Sequence, residues 1–284
     1  MYTSMKSMLK KANANHYAVL AINAFNLETC KAIIDVAEEN RAPIIIDLLQ
    51  EHLEKHIDYK YMAEGIKKMC QDSSIEVAIN LDHGKHVPHV KQVLQQGMLS
   101  VMIDASIHEF EENIAITKEI VKLAEIYDAS VEAEVGHMGS VAEGNWTVDS
   151  MYTNPDEAIR FIQETGVDCL AISFGTTHGD YPENYIPEFR FDIVEQIKKA
   201  THLPLVIHGG SGAGEENLLQ SIKSGINKIN IGTDIMKAQR EYVRQAIKVD
   251  NDIEYPTLIH GTIQAAKDEI QKYLNLSGSI NQSL

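Results

Sequence analysis

The sequence predicts an α/β protein in which eight parallel strands, each followed by a helix, close into a barrel. Short β-prone runs alternate with longer amphipathic stretches along the 284 residues, as expected for repeated strand–helix units. Aspartate, histidine, glutamate and asparagine repeatedly come directly after the apolar runs, where such barrels carry their functional side chains. The length also fits, because these barrels commonly occupy about 250 residues as one domain.

Eight short runs are predicted as strands because they are apolar and rich in β-branched residues. They cover residues 18–24, 44–47, 77–81, 100–103, 130–134, 169–172, 205–207 and 228–231. Helical spacing of apolar residues predicts the helices between them, which include 27–40, 109–127, 156–164, 191–200 and 215–224. Eight such repeats favour a closed (β/α)8 TIM barrel over an open doubly wound sheet, which is the alternative.

Proline and glycine occur where the predicted helices should begin and end. Pro88 and Pro155 fit helix starts, whereas Gly97, Gly166 and Gly225 fit helix ends just before the next strand. Because no low-complexity linker interrupts the pattern, we expect a single domain over residues 1–284. It would close with one or two additional C-terminal helices between residues 256 and 274 and a flexible tail at residues 276–284.

Composition excludes several classes of partner. The 25 basic residues against 41 acidic residues give a formal charge of −16, which opposes binding to nucleic acid or to anionic membranes. No apolar run approaches the ~18 residues of a membrane span, and no signal peptide is evident, so we expect a cytoplasmic protein. Cys30, Cys70 and Cys169 are widely spaced, which indicates buried thiols rather than disulfides.

Three histidines predict a metal site. His83, His178 and His208 each follow a short apolar run and open a glycine-containing turn. Three imidazoles bind zinc well and leave a fourth coordination position open for a substrate oxygen. Asp82 directly precedes one of them and adds a possible acid or base at the same strand end.

The remaining histidines carry weaker signals. We predict no role for His52 and His56, because the charged residues around them suggest a solvated face. His86 and His89 follow the turn after His83 and are candidates for contact with the metal ligands.

The glycine-rich stretch 208–214 and the segment 230–234 both precede predicted helices. Such turns expose backbone N–H groups to a phosphate at a helix amino terminus, and phosphate sites after strands seven and eight recur in these barrels. The stretch matches neither the Rossmann fingerprint nor a P-loop.

Together these motifs resemble the class II ketose-bisphosphate aldolases, the zinc-dependent fructose-bisphosphate and tagatose-bisphosphate aldolases. The likeness covers roughly residues 5 to 245 and includes the segment Ala24-Phe25-Asn26. The motifs that carry it are Asp82-His83-Gly84, Glu132-Ala133-Glu134-Val135-Gly136, Gly175-Thr176-Thr177-His178-Gly179, His208-Gly209-Gly210-Ser211-Gly212 and Lys228-Ile229-Asn230-Ile231.

The resemblance implies roles for individual residues. His83, His178 and His208 would bind Zn²⁺, Asp82 would donate and accept the proton, and Asp104 and Glu134 would bind a second or relocated metal. Glu143 would be the acid of a mobile loop. A phosphorylated sugar substrate, with a monovalent cation (Na⁺ or K⁺) nearby, would contact Asn26, Gly179, Gly209, Gly210, Ser211, Asn230, Ile231, Gly232 and Thr233.

The implied reaction is reversible retro-aldol cleavage of a ketose 1,6-bisphosphate, such as tagatose or fructose 1,6-bisphosphate. The products would be dihydroxyacetone phosphate and glyceraldehyde 3-phosphate, with zinc stabilising the enediolate and a homodimer or homotetramer as the assembly. Three alternatives stay open: a different phosphorylated ketose, deoxy or inositol-derived; a zinc-binding barrel with a regulatory or binding role; and a Schiff-base aldolase, for which Lys85 and Lys228 are poorly placed.

Three segments that border the expected substrate depart from the family pattern. The loop at residues 139–144 carries one acid, Glu143, where the family commonly has a pair. Residues 180–183 read Asp-Tyr-Pro-Glu where the family often has a Tyr-Lys step, and residues 47–50 lack the usual small hydroxyl residues. These departures leave the second phosphate, and therefore the exact sugar, open.

Overall fold

The computed structural model of the protein describes residues 1–136, 152–176 and 188–283. Its eight parallel strands pair in sequence order, and the last strand pairs with the first, so the sheet closes into a barrel. This closure confirms the predicted (β/α)8 TIM barrel and excludes the open sheet. The strands are β1 (Val19–Asn23), β2 (Ile44–Leu49), β3 (Val77–Gly84), β4 (Ser100–Ile103), β5 (Ser130–Val135), β6 (Cys169–Ile172), β7 (Leu205–Ile207) and β8 (Ile226–Ile231).

Helices surround the barrel, and within the described ranges none combines the length and apolar character needed to cross a bilayer. The short helix α3 follows β2 directly and is not predicted by sequence periodicity. The helices are α1 (Met5–Ala14), α2 (Leu27–Glu39), α3 (Gln50–Lys55), α4 (Tyr59–Asp72), α5 (Val87–Gln95), α6 (Phe110–Ile126), α7 (Pro155–Thr165), α8 (Phe191–Thr201), α9 (Glu215–Ser224), α10 (Thr233–Val249) and α11 (Tyr255–Ser277).

Side chains alternate between the two faces of each strand. Leu20 and Ile22 of β1 point outward into the core between the sheet and the helices. The residues between them point inward, where they pack with α1 to close the amino end of the barrel. This inner cluster contains Met5, Met8, Leu9, Ala12, Tyr17, Val19, Ala21, Ile45, Ala78, Met102, Cys169, Ala171 and Val206. Because the amino end is filled with apolar side chains, the interior of the described barrel is left open to ligands at the carboxyl ends of the strands.

A layer of charged side chains lies next to this apolar cluster, on the side of the carboxyl ends of the strands. Lys228, Asp47 and Glu132 are fully buried, and the Nζ of Lys228 lies 2.9 Å from Glu132 Oε2 and 3.4 Å from Asp47 Oδ2. Burial alone would lower the pKa of Lys228, but the two carboxylates raise it above its ordinary value. Lys228 therefore stays protonated inside the barrel.

Replacing Lys228 by methionine is expected to destabilise the protein by about 3–5 kcal/mol, because two buried carboxylates lose their cation. The free energy of unfolding in urea measures this loss. Lys122→Met, at an exposed position of α6, is the matched control and should change stability little. A Lys228→Met protein as stable as the control would show that the ion cluster does not support the fold.

The C-terminal segment agrees with its prediction in its helix but differs in its tail. A single helix, α11, covers the region where one or two closing helices were predicted. Residues 276–284 were expected to form a flexible tail, but Asn281 N donates to Asn40 O (3.0 Å) and Ser283 N donates to Arg41 O (2.9 Å). Ser277 and Ser279 are fully buried. These backbone hydrogen bonds hold the tail, through residue 283, against the end of α2.

Candidate active site

The carboxyl ends of the strands surround a cavity of about 350 Å³. Its wall combines residues from the ends of β1 to β5, β7 and β8 with the first residues of α3 and α10. The described residues that line it are Asn23, Leu49, Gln50, Glu51, His52, Glu54, Asp82, His83, Lys85, His86, Asp104, Glu134, His208, Gly209, Ser211, Asn230, Gly232, Thr233 and Met236. Most predicted site residues in the described ranges therefore meet at one mouth.

His83 lies in an unusual turn at the end of β3. Its φ of 47° is in the left-handed region, a conformation that is uncommon outside glycine and is often associated with functional sites. The β3–β4 register shifts between Leu81 and Gly84. A Cβ at Gly84 would lie 2.4 Å from the carbonyl oxygen of Met102, so only glycine fits there. This turn directs the imidazole of His83 into the cavity.

Carboxylates orient both described histidines. His83 Nδ1 lies 2.8 Å from Asp104 Oδ2, and His208 Nε2 lies 2.8 Å from Glu132 Oε1. The other two ring nitrogens, His83 Nε2 and His208 Nδ1, face each other at 2.9 Å. A carboxylate that accepts from one ring nitrogen and leaves the other for a metal is typical of histidine ligands. The donor set therefore fits a metal that prefers imidazole nitrogen.

The protonation of these histidines agrees with a cation site. Burial lowers the pKa of His83, but Asp82, Asp104 and Glu134 raise it, to about 10. Burial lowers the pKa of His208. A metal bound to His83 Nε2 and His208 Nδ1 needs both nitrogens without protons, so metal binding would displace any proton held between them.

Carboxylates and the two histidines form two overlapping groups of possible metal ligands. Ligand atoms of Asp82, His83 and His208 lie within 4.8 Å of one another, and so do those of His83, Asp104 and Glu134. The second group contains both acidic residues expected at a second or relocated metal position. His178, the third expected histidine ligand, lies outside the described residues, as do Gly179 and Glu143.

Asp82 is held as an ionised carboxylate. Asn23 Nδ2 donates to its Oδ2 (2.7 Å), and Asn230 Nδ2 donates to its Oδ1 (3.3 Å). Burial would raise the pKa of Asp82, but His83, His208 and Lys228 lower it below its ordinary value. Its oxygen Oδ1 lies 4.0 Å from His83 Nε2, so a base stands directly beside the candidate metal position.

The expected phosphate-binding segments form the opposite side of the cavity. Gly209, Ser211, Gly232 and Thr233 line it, together with the first turn of α10. Gly212 N donates to Asp234 Oδ2 (3.0 Å) and Asp234 N donates to Ser211 Oγ (3.2 Å), which ties the two segments together. The first N–H groups of a helix have no intrahelical partner, so the start of α10 can bind an anion.

Two expected substrate contacts lie behind this wall. Gly210 is buried, and its Cβ would lie 2.8 Å from the side chains of Ile229 and Ile231. Gly210 N donates to Asn230 O (3.1 Å). Gly210 and Ile231 therefore support the phosphate-binding turn from behind, without lining the cavity.

Asn26 was expected to contact the substrate, but it does not line the cavity. Its Oδ1 accepts hydrogen bonds from Thr29 N (2.9 Å) and Thr29 Oγ1 (2.6 Å) and caps α2. The residue of this region that reaches the site is Asn23. Strand periodicity could have found it, because Asn23 alternates with the inward residues Val19 and Ala21.

Helix α3 contributes a wall that sequence reasoning missed. His52 lines the cavity, although it was predicted on a solvated face, and its ring packs edge-on against Phe25 with centroids 6.2 Å apart. Gln50 Nε2 donates to Glu54 Oε1 (2.7 Å), and His86 N donates to Gln50 Oε1 (3.3 Å). We call Gln50, Glu54 and His86 the rim cluster.

Replacing Glu132 by glutamine is expected to weaken zinc binding about 10- to 100-fold, because His208 loses the charged group that orients its ring. The zinc dissociation constant, measured by competition with a chromogenic chelator, reports this change. Glu125→Gln, at an exposed position of α6, should bind zinc like the unaltered protein. Equal affinities in both variants would show that Glu132 does not act through His208.

Comparisons with known proteins agree with this geometry. The family model described as fructose-bisphosphate aldolase class-II matches residues 3–282. A 6-phospho-5-dehydro-2-deoxy-D-gluconate aldolase from Bacillus licheniformis is 35% identical over 286 residues, which cover 100% of this chain and 97% of the relative. A fructose-bisphosphate aldolase from Geobacillus stearothermophilus is 36% identical, covering 91% of this chain and 90% of the relative.

The barrel is also similar to a solved aldolase structure. The YdjI aldolase from Escherichia coli K12 superposes with a TM-score of 0.89 at 30% identity and covers 100% of both chains. The family match, the full-length relatives and the site geometry lead to one conclusion. The chain belongs to the class II fructose-bisphosphate aldolase family, whose members are carbon–carbon lyases.

Proposed function

We propose that the protein is a zinc-dependent aldolase that reversibly cleaves a phosphorylated ketose into dihydroxyacetone phosphate and an aldehyde. The observation that carries this proposal is the position of Asp82. Its ionised carboxylate lies 4.0 Å from His83 Nε2, at the point where two carboxylate-oriented imidazoles converge. A base and a metal position so close together suit proton removal next to a polarised oxygen.

The residues that would hold Zn²⁺ are His83 through Nε2, His208 through Nδ1, and His178. Asp104 and Glu134 would hold a second or relocated ion, and a monovalent cation near the phosphate remains part of the proposal. When bound, Zn²⁺ supplies Lewis-acid polarisation of the ketose carbonyl.

Asp82 would remove the proton from the C4 hydroxyl of the ketose. As the C3–C4 bond breaks, C4 becomes the aldehyde carbon and the bonding electrons move towards the carbonyl at C2. Asn23 and Asn230 keep the two carboxylate oxygens of Asp82 in place by donating to them. A further acid must then protonate C3, and Glu143 is our candidate. Gly209, Ser211, Gly232 and Thr233 would bind the C1 phosphate.

The Schiff-base alternative requires a neutral lysine amine inside the cavity. Lys228 is buried between two carboxylates, which raise its pKa, and it does not line the cavity. Lys85, which the sequence indicated as poorly placed, does line the cavity, at an exposed position. If the zinc-dependent mechanism holds, treatment with borohydride in the presence of substrate should leave activity intact, whereas covalent trapping of the substrate would favour the Schiff-base mechanism.

Two substrate classes follow from the relatives. The name of the Geobacillus stearothermophilus enzyme specifies a ketose bisphosphate, and that of the Bacillus licheniformis enzyme specifies a sugar acid with one phosphate. Zinc-loaded protein should release dihydroxyacetone phosphate from at least one member of a panel that includes fructose and tagatose 1,6-bisphosphates and singly phosphorylated ketoses. No release from any member would favour a binding or regulatory role.

A further inference from the structure

We infer that the aldehyde half of the substrate ends in an uncharged, hydroxyl-bearing group, so that the preferred substrate is a ketose 1-phosphate without a second phosphate. This inference rests on the proposed function, because it concerns the far end of the same substrate. It identifies the residues after β2 and β3 as the specificity-determining wall.

The position of the aldehyde half follows from the order of groups around the mouth. The phosphate-binding segments follow β7 and β8, and Asp82, which would take the C4 proton, lies on β3. Carbons beyond C4 must therefore extend away from Gly209 and Thr233. Among the described residues, the cavity wall on that side is formed by α3, with Leu49 before it, and residues 85 and 86 after β3.

The charge of this wall opposes a phosphate. Glu51, which is paired with Lys55 on the same helix, and Glu54 both line it, and Lys85 is the only lysine or arginine among the described residues that line the cavity. Residues 137–151 and 177–187, which lie outside the described ranges, contain no lysine or arginine. A phosphate dianion would meet like charges at short range, where the interaction is only partly screened.

The start of α5 adds few free backbone donors at this wall. Helix α5 begins at this wall, but Pro88 has no N–H. The N–H groups of His89 and Val90 donate to the carbonyl of His86, at 2.8 and 3.1 Å, and that of His86 donates to Gln50 Oε1. The opposite wall differs, because helix α10 begins there and small residues precede it. The N–H groups named at the start of α5 are therefore already bonded or, at Pro88, missing, whereas the C1 end has the glycine-rich turn and the start of α10.

The rim cluster suits hydroxyl groups instead. A carboxylate, a carboxamide and an imidazole line this end of the cavity through Glu54, Gln50 and His86. They offer both acceptors and donors, and a sugar hydroxyl can use both. Carboxylates accept hydrogen bonds from hydroxyls but repel a phosphate. The same side chains thus favour a neutral polyol and disfavour its phosphorylated counterpart.

Condensation of dihydroxyacetone phosphate with a matched pair of aldehydes tests this inference on the zinc-loaded protein. We expect kcat/KM for D-glyceraldehyde to exceed that for D-glyceraldehyde 3-phosphate by at least about 10-fold, the factor that ~1.4 kcal/mol produces. In the Glu51→Gln/Glu54→Gln double variant this ratio should fall, because the repulsion is removed. Glu125→Gln, which changes the same charge on exposed α6, should leave the ratio unchanged.

Equal or higher kcat/KM for the phosphorylated aldehyde would overturn the inference, and so would a ratio that the double variant leaves as it is. A cation that bound the second phosphate and came from a second copy of the chain would produce this contradicting result. Failure of the proposed aldolase function would give a different result from failure of this inference. The zinc-loaded protein would then condense dihydroxyacetone phosphate with neither aldehyde.

Discussion

Replacing Asp82 by alanine should abolish most C–C cleavage while the protein keeps its zinc. General acid–base groups commonly contribute about 10²- to 10⁴-fold to a rate, so we expect kcat for retro-aldol cleavage to fall by that range. The fall corresponds to about 3–5 kcal/mol of transition-state stabilisation. Asp82 is the described carboxylate that two amides hold beside His83, and we find no substitute base in that position among the described residues.

Two measurements separate this loss from damage to the site. Metal analysis of Asp82→Ala should give the zinc content of the unaltered protein, and KM should change far less than kcat, since proton transfer is lost rather than binding. An Asp82→Ala protein with normal turnover would remove Asp82 from the mechanism. Loss of zinc in the same variant would instead identify Asp82 as a metal ligand.

Replacing His208 by alanine should remove both the metal and the activity. The imidazole is buried against Glu132, and its second nitrogen faces His83 at 2.9 Å. Removing it deletes a ligand and leaves the carboxylate of Glu132 without its histidine partner. We expect zinc affinity to fall by more than the roughly 10- to 100-fold that loss of an outer partner costs, and retro-aldol turnover to fall with it.

A second histidine variant provides the control. His260 lies exposed on α11, so His260→Ala should retain zinc content, turnover and the circular dichroism spectrum of the unaltered protein. His208→Ala should keep that spectrum too, because β6, β7 and β8 pair through their backbones, without the His208 side chain. Retention of both metal and activity in His208→Ala would refute the site assignment.

Much of the barrel could be predicted because its strands are short apolar runs with clear glycine and proline boundaries. Gly166 ends α7 in the left-handed conformation (φ 74°), and Asn154 caps its start by accepting from Asp156 N (2.9 Å). The positions of Asp82, His83 and His208 followed from a general property of parallel barrels, since the carboxyl ends of the strands meet at one mouth. These predictions therefore needed only the local sequence and this general property of barrels.

The residues that were missed act through contacts distant in sequence. Glu132 lies 76 positions from His208, and Lys228 is neutralised by carboxylates from β2 and β5, so no local pattern gives their roles. Alternation along β5 does place Glu132 and Glu134 on the same inner face, and this signal was available. Helix α3 was missed because its 6 residues are too few to show a helical period.

Titration of zinc into metal-free protein, with dihydroxyacetone phosphate release as the readout, tests the central claim most directly. If His83, His208 and His178 hold one catalytic ion, activity should be absent without zinc, rise in proportion to added zinc and reach its maximum near one ion per chain. Full cleavage activity in protein shown by metal analysis to contain no zinc would contradict the account.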